Sequence, residues 1–280
     1  MKEAILDYYI FNGKLVSSND DKYFEGIEDP TVYEVIRIAD GVVLFFEDHM
    51  MRMRKSIELL GYKLKKMDEE ILIEIHRLIV ANKVDNLNVK LICTKLDQEQ
   101  QDFFVFFVES YYPSADVYAK GIHTVTLSIE RENPNVKTVN RQLKETVKKI
   151  RESTGAFEVL LINHERYITE GSRSNIFFIK ADRVYTAPEG DVLLGVTRNH
   201  IMKVCQELGI EVEEKMMHMN DMESLQGAFM TGTSVNVLPI SCIDDVQYPS
   251  VDNELIRRIS EGYQRDMYAY MVKKHRNKAY

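Results

Sequence analysis

Tight polar turns repeatedly separate pairs of apolar runs, and this alternation limits the fold more than any other feature of the chain. Turns of this kind lie at residues 39–41, 163–166 and 181–183. Two apolar runs joined by a short polar turn are typical of a β-hairpin, in which the strands pair antiparallel. Because helical patterns are interspersed among the hairpins, the sequence predicts an α+β fold with mixed sheets and disfavours a doubly wound parallel sheet.

Helices are predicted where apolar residues recur every three or four positions. In the first of them Met53, Ile57 and Leu60 lie on one side, and Gly61 provides the stop signal. A helix in the second half ends in the same way at Gly209. The five predicted helices span about 47–60, 68–82, 141–153, 196–208 and 252–273.

The domain organisation follows from chain length and from one stretch of turn-forming residues. A chain of 280 residues is long enough for one large domain or two small ones, each with its own core. Pro113, Ser114 and Gly121 mark the best candidate for a linker. The prediction is a small N-terminal α+β domain at 1–112, a linker at 113–120 and a larger domain at 121–280.

Composition excludes several classes of protein. No apolar run approaches the roughly 18 residues of a membrane span, and the net charge of −8 disfavours nucleic acid as a partner. Cys93, Cys205 and Cys242 are widely spaced in apolar surroundings, which predicts reduced thiols in a cytoplasmic protein. The seven histidines show no metal-ligand spacing, so no metal site is predicted.

Three turns rich in small residues are candidates for binding an anion. Thr197 follows Gly195 at the start of a predicted helix, where free N–H groups favour an anion, although Thr197 as a simple N-cap is the alternative. Thr233 and Ser234 follow Gly232 in a turn that suits either a phosphate or an ordinary β-turn. In the third turn Glu170 directly precedes a buried strand, where an unpaired charge would be costly.

Lys137 is the candidate nucleophile. It follows a proline turn and precedes a predicted helix, and the three turns described above come after it in the chain. An amine, two phosphate cradles and a carboxylate are the groups that pyridoxal 5′-phosphate requires. Most lysines are solvated, so this combination of groups carries the interpretation rather than Lys137 alone.

The chain resembles the fold type IV, or class IV, pyridoxal-phosphate aminotransferases. This family includes branched-chain and D-amino acid aminotransferases and aminodeoxychorismate lyase. The resemblance runs from about Tyr33 to Asp244 through six blocks in family order, among them HMMRMRKS, VKTVNR, EGSRSN, LLGVTR and MTGTS. It implies a small α/β domain, a larger pseudo-barrel domain with mixed sheets, a cofactor held between them, and a homodimer.

The resemblance also implies roles for individual residues. Lys137 matches the lysine that bonds to the cofactor and moves the proton, and Glu170 matches the carboxylate facing the pyridine nitrogen. Arg52 matches the phosphate-binding arginine, and Tyr33 matches an aromatic residue that lines the substrate pocket. The two phosphate sites match Val196 with Thr197, and Thr233 with Ser234.

The implied reaction is transfer of an amino group between an amino acid and a 2-oxo acid such as 2-oxoglutarate. The substrate side departs from the family patterns, because the strand VKLICTKLDQ lacks the Arg-x-His pair of the best-known D-amino acid enzymes. Lys95 in this segment is a candidate for binding the substrate, and a solvated lysine at the end of a strand is the alternative. Arg141 stands where an aromatic residue is common in branched-chain enzymes, and it leaves open a 4-amino-4-deoxychorismate lyase. Arg141 and Arg173 are predicted to recognise the substrate carboxylate, and for Arg173 an ion pair with a surface acid is the alternative.

Overall fold

The computed structural model describes residues 4–131 and 133–278, which fall into two compact units. Unit 1 contains the described residues up to Tyr111, together with Val136–Val139 and the residues from Ala269 onward. Unit 2 contains Tyr112–Asn135 and Asn140–Tyr268. Four residues around Lys137 and the end of the chain therefore belong to the same unit as the N-terminal segment.

Unit 1 is built from a six-stranded antiparallel sheet and two helices. The strands run in the order β2-β1-β6-β5-β3-β4, and both helices pack on one face of the sheet, where Ile36, Met53 and Ile75 belong to one buried cluster. The elements are β1 (Tyr8–Phe11), β2 (Lys14–Ser17), β3 (Val32–Ala39), β4 (Val42–Val43), α1 (Phe46–Leu59), α2 (Asp68–Asn82), β5 (Leu87–Thr94) and β6 (Asp102–Val108).

The opposite face of this sheet carries aromatic and basic residues. Tyr33 on β3 lies across from Ile92 on β5, and Lys90 on β5 lies across from both Val35 on β3 and Phe106 on β6. Directly paired residues in neighbouring strands share a face of the sheet. Tyr33, Lys90 and Phe106 are therefore neighbours on the face that does not contact α1 and α2.

Unit 2 contains a ten-stranded mixed sheet. Strand β7 pairs parallel with β8 and β15, β11 pairs parallel with β12, and the remaining pairs are antiparallel. The strands are β7 (Ile122–Ser128), β8 (Glu158–Ile162), β9 (Tyr167–Gly171), β10 (Asn175–Lys180), β11 (Arg183–Thr186), β12 (Val212–Glu214), β13 (Met217–His218), β14 (Gly227–Gly232), β15 (Asn236–Ile243) and β16 (Val246–Gln247). The helices of this unit are α3 (Ala115–Lys120), α4 (Arg141–Thr154), α5 (Val196–Glu207) and the first part of α6 (Glu254–Lys278), whose residues from Ala269 onward belong to unit 1.

The predicted mixed sheets and the three predicted hairpins are confirmed. The boundary between the units falls after Tyr111, next to the predicted linker, and the linker segment itself forms helix α3. Ser114 is the N-cap of that helix and Gly121 follows its end with a positive φ of 69°, so the small residues delimit a helix.

No helix within residues 4–131 and 133–278 is long and apolar enough to cross a membrane. The three cysteines are buried and unbridged.

Candidate functional site

Lys137 lies in a short extended segment that adds to the edge of the unit 1 sheet. The Tyr33 N–H donates to the Lys137 carbonyl at 3.1 Å, and the Val139 N–H donates to the Thr31 carbonyl at 3.4 Å. Val32 and Thr138 form an isolated antiparallel bridge between these two contacts. Backbone bonds therefore fix Lys137 against the start of β3.

Helix α1 holds Lys137 from the other side. The Lys137 N–H donates to Ser56 Oγ at 3.2 Å, and Ser56 is 1% exposed. The Lys137 ammonium nitrogen, Nζ, lies 4.8 Å from the centre of the Tyr33 ring. The amine is thus held close to the aromatic residue that the resemblance assigns to the substrate pocket.

A buried ionic network lies beside this segment. Glu34 is completely buried, and its carboxylate accepts hydrogen bonds from Arg52 Nε at 2.7 Å and Arg52 Nη2 at 2.6 Å. The same carboxylate contacts His49 Nδ1 at 2.8 Å. His49, Arg52 and Ser56 lie three and four residues apart, which places them on one face of α1. That face presents its polar groups to Glu34 and to the backbone of Lys137.

The network fixes the charge state of its members. Burial by itself raises the pKa of Glu34, but the Arg52 guanidinium and the hydrogen bonds outweigh it and lower the pKa to about 2. Burial lowers the pKa of His49, and the charges of Arg52 and Lys137 add to this effect. Glu34 is therefore anionic at neutral pH, and His49 is a neutral ring that donates its Nδ1–H to Glu34.

Two lysines lie on β5 or directly after it. Lys95 pairs with Asp102 at 2.7 Å where the β5–β6 hairpin turns. Lys90 is 8% exposed, and its Nζ lies 5.1 Å from the centre of the Tyr33 ring. Lys90 and Lys137 thus approach the same aromatic ring, and sequence reasoning had missed Lys90.

In unit 2, Glu170 lies near the end of strand β9 and is 3% exposed. Its Oε1 accepts a hydrogen bond from Arg131 Nη1 at 2.7 Å, and its Oε2 accepts one from the Leu193 N–H at 3.1 Å. The charge of the buried carboxylate is therefore compensated within unit 2. Arg131 had escaped the sequence analysis because it lies 39 residues from Glu170 in the chain.

The turn after Glu170 is held by a second buried carboxylate. Glu158 is fully buried and accepts hydrogen bonds from Ser172 Oγ at 2.6 Å and Ser174 Oγ at 3.0 Å. Gly171 leaves no room for a side chain, since a Cβ there would lie 2.0 Å from Ser174 Oγ. Arg173 points outward with 54% of its side chain exposed, and its Nε lies 3.8 Å from Glu158.

The start of helix α5 lies next to this turn. Gly195 is the N-cap, so Thr197 is not, and Val196 and Thr197 are the first two helical residues. A Cβ at Gly195 would lie 2.2 Å from Asn175 Oδ1, so a side chain there would collide with the Asn175 amide unless it moved. Asn175 also donates to the Leu193 carbonyl at 2.8 Å, which fixes the loop leading into α5.

The turn containing Thr233 and Ser234 joins β14 to β15. Thr231, just before it, pairs with Asn175 on β10. Unit 2 therefore brings Glu170, the α5 start and this turn to the same edge of its sheet. Arg141 begins α4 and is exposed.

Each unit, taken by itself, carries groups of the kinds that bind pyridoxal phosphate. Unit 1 supplies an amine in Lys137 and a guanidinium in Arg52. Unit 2 carries a buried carboxylate in Glu170 and, after the N-cap Gly195, the N–H groups of a helix start. The cofactor calls for an amine, phosphate-binding N–H groups and cations, and an anion for its ring nitrogen.

Comparison with known proteins points to one family. The family model described as Amino-transferase class IV matches residues 31–243. A probable branched-chain-amino-acid aminotransferase from Rickettsia conorii is 27% identical over 84% of this chain and 86% of its own. A D-alanine aminotransferase from Bacillus licheniformis is 26% identical over 84% and 88%. The structure of a T.th. branched-chain amino acid aminotransferase with pyridoxamine 5′-phosphate superposes with a TM-score of 0.84 at 21% identity, covering 95% of this chain and 96% of that one.

Proposed function

The chain belongs to the class IV aminotransferase family, whose members use pyridoxal phosphate, and from this premise we propose that Lys137 is the residue that bonds to the cofactor. The resemblance stated from the sequence is thereby confirmed at the level of family, fold and cofactor. The observation that carries the residue assignment is the position of Lys137. Its backbone is bonded to Tyr33 and Ser56, and its amine lies at the Tyr33 ring.

Lys137 is proposed to move the proton at the substrate Cα. The bound cofactor supplies an electron-withdrawing ring that stabilises negative charge at that carbon. A primary amine whose main chain is fixed on both sides can take up and return a proton with little reorganisation.

Phosphate binding is proposed for Arg52 and for two groups in unit 2, the α5 start and the turn with Thr233 and Ser234. A guanidinium carries five N–H donors, so pairing with Glu34 is compatible with a contact to phosphate. The bidentate contact holds the plane of the guanidinium, which favours recognition of a phosphate in a fixed direction. At α5, Val196 and Thr197 provide N–H groups that have no intrahelical acceptor.

Glu170 is proposed to keep the pyridine nitrogen of the cofactor protonated. We expect Glu170→Gln to lower kcat by roughly 10²-fold or more, because loss of one preorganised electrostatic group in a buried site commonly has that effect. The dissociation constant for pyridoxal phosphate should change much less, since the phosphate contacts remain. Stopped-flow rates of half-reactions and a cofactor titration measure the two quantities.

The matched control for Glu170→Gln is Glu165→Gln. Glu165 lies in the turn of the same hairpin and is exposed, so its kinetics should equal those of the wild type. Equal half-reaction rates for Glu170→Gln and Glu165→Gln would remove Glu170 from the assignment.

The substrates are proposed to be an amino acid and a 2-oxo acid, of the branched-chain or D-amino acid kind that the relatives are named for. Lys90 is the cation of unit 1 best placed for a substrate carboxylate, because it shares the Tyr33 ring with Lys137. Lys95 is engaged by Asp102, and Arg173 interacts with Glu158. A carboxylate-binding role for Arg173 or Arg141 stays a prediction.

A transamination assay with branched-chain, dicarboxylic and D-amino acid donors and 2-oxoglutarate tests this function. In the same assay Lys90→Gln should raise the KM for dicarboxylic substrates tenfold or more, because removing a charged partner from a buried contact costs about 2–5 kcal/mol. Lys95→Gln should leave this KM unchanged. Pyruvate release from aminodeoxychorismate without any transamination would favour the lyase. An equal response of both lysine variants would remove Lys90 from the substrate side.

We also propose a homodimer in the cytoplasm. Family resemblance supports the dimer, and a two-fold dimer is the commonest assembly of soluble oligomers. The cytoplasmic location rests on the three buried, unbridged cysteines. Light scattering that gave the mass of a single chain for the active enzyme would contradict the dimer.

A further inference from the structure

The last turns of helix α6 contact the start of helix α1 within unit 1. The Tyr270 ring lies 4.9 Å from the Phe45 ring, and the Tyr270 hydroxyl accepts a hydrogen bond from the Phe46 N–H at 3.1 Å. The same hydroxyl donates to Glu47 Oε2 at 2.7 Å. Lys274, one turn farther along α6, pairs with the other oxygen of Glu47 and lies 5.2 Å from the Tyr270 ring centre.

These contacts replace a cap that α1 does not carry itself. The N-cap residue is Phe45, which provides no side-chain hydrogen bond and has a left-handed backbone with a φ of 51°. Such a conformation is unfavourable for a bulky residue and persists only where its surroundings hold it. Tyr270 supplies both functions, since its hydroxyl satisfies a free N–H of the first turn and its ring packs on Phe45.

Helix α1 carries the groups assigned to the cofactor. His49 and Arg52 lie in its first two turns and bind Glu34, and Ser56 binds the backbone of Lys137. A shift at the beginning of α1 moves the Arg52 guanidinium relative to the sheet that carries Glu34. A change at the start of α1 would therefore be transmitted to the guanidinium that is proposed to bind the phosphate.

We propose that Tyr270 is a positioning residue for cofactor phosphate binding, because it caps and orients the helix that carries Arg52. This proposal rests on the proposed function of Arg52. Burial and the Glu47 carboxylate raise the pKa of the Tyr270 hydroxyl, so it remains a hydrogen-bond donor at assay pH. A truncation or substitution at the C-terminal end of α6 then lowers the affinity for the cofactor, because it disturbs the start of α1.

The test compares pyridoxal 5′-phosphate with pyridoxal, which lacks the phosphate, in titrations of the full-length apoenzyme. Tyr270→Phe should raise the dissociation constant for pyridoxal 5′-phosphate about fivefold to tenfold, the effect expected for one lost hydrogen bond to the hydroxyl. The dissociation constant for pyridoxal should stay unchanged. Lys274→Gln should act in the same direction by a smaller factor, because Lys274 holds Glu47 without contacting the Phe46 N–H.

Two further variants make the outcome decisive. Tyr268→Phe is the matched control, since Tyr268 is 69% exposed, and it should match the wild type with both ligands. Arg52→Gln should remove most of the preference for the phosphorylated ligand. Suppose that Arg52→Gln removes the preference. The role of Tyr270 is then refuted if Tyr270→Phe leaves the preference intact, or if it raises the dissociation constants of both ligands by the same factor. If Arg52→Gln keeps the preference, the phosphate assignment fails and the proposal fails with it.

Discussion

Lys137→Ala is expected to abolish the covalent bond to pyridoxal phosphate and to reduce transamination by at least about 10²–10⁴-fold, the usual contribution of a positioned acid or base. The total loss should exceed that range, because the same amine forms the covalent bond and transfers the proton. Two measurements check it: the absorbance of the bound cofactor, and borohydride reduction followed by mass mapping of the modified lysine.

The control for Lys137→Ala is Lys144→Ala. Lys144 lies in α4, seven residues farther along the chain, and its side chain is exposed. It should retain wild-type activity, as should Lys148→Ala one turn farther along. If the reduced cofactor maps to Lys144, or to any lysine other than Lys137, the site lies elsewhere. The joint assignment of Lys137 and Glu170 to one site would then also be wrong.

Local pattern was sufficient for most of the secondary structure. Helix α2 was predicted at about 68–82 and is observed at Asp68–Asn82, because apolar spacing within one helix is a short-range property. The same holds for the hairpins, in which each turn lies between the strands that it joins. The segment 113–120 was read as a linker because Pro113 and Ser114 are turn formers, although a serine in that place is also a helix N-cap.

The site was predicted only in part, since its contacts join distant positions. Alternation in β3 places Glu34 on the same face as Val32, Ile36 and Ile38, and an acid within an apolar face is a signal that was available in the sequence. Its partners are 15 and 18 residues away, so no periodicity identifies them.

Lys90 was missed for a related reason. Seven of the eight residues of β5 are buried, so both faces of the strand look apolar and the sequence does not show which face a lysine occupies. Lys95 was the candidate from the sequence because it lies near the strand that lacks the Arg-x-His pair. Its ion pair with Asp102 depends on the hairpin geometry, which sequence spacing alone does not supply.

The second large expected effect is on stability and concerns Glu34. Glu34→Gln removes the carboxylate that bonds to both Arg52 and His49. An arginine left in a buried site without its anion typically costs about 3–5 kcal/mol of unfolding free energy. Chemical unfolding followed by circular dichroism measures this loss. Glu58→Gln, at an exposed position near the end of α1, should stay within about 0.5 kcal/mol of the wild type.

The pH dependence tests whether Glu34 acts through its negative charge. The pKa of Glu34 is lowered from 4.5 to about 2 in the folded chain, so its carboxylate adds stability above about pH 4.5 and loses that contribution as the pH falls toward 2. The stability difference between wild type and Glu34→Gln should therefore be full at pH 7 and should shrink as the pH falls from 4.5. His49 also has a lowered pKa in the folded wild type, so protonation of its buried ring costs stability as the pH falls below 6.5. This second loss comes from burial of the ring and does not depend on the Glu34 charge alone. A difference that stayed constant from pH 7 to pH 3 would show that the negative charge of Glu34 does not hold Arg52.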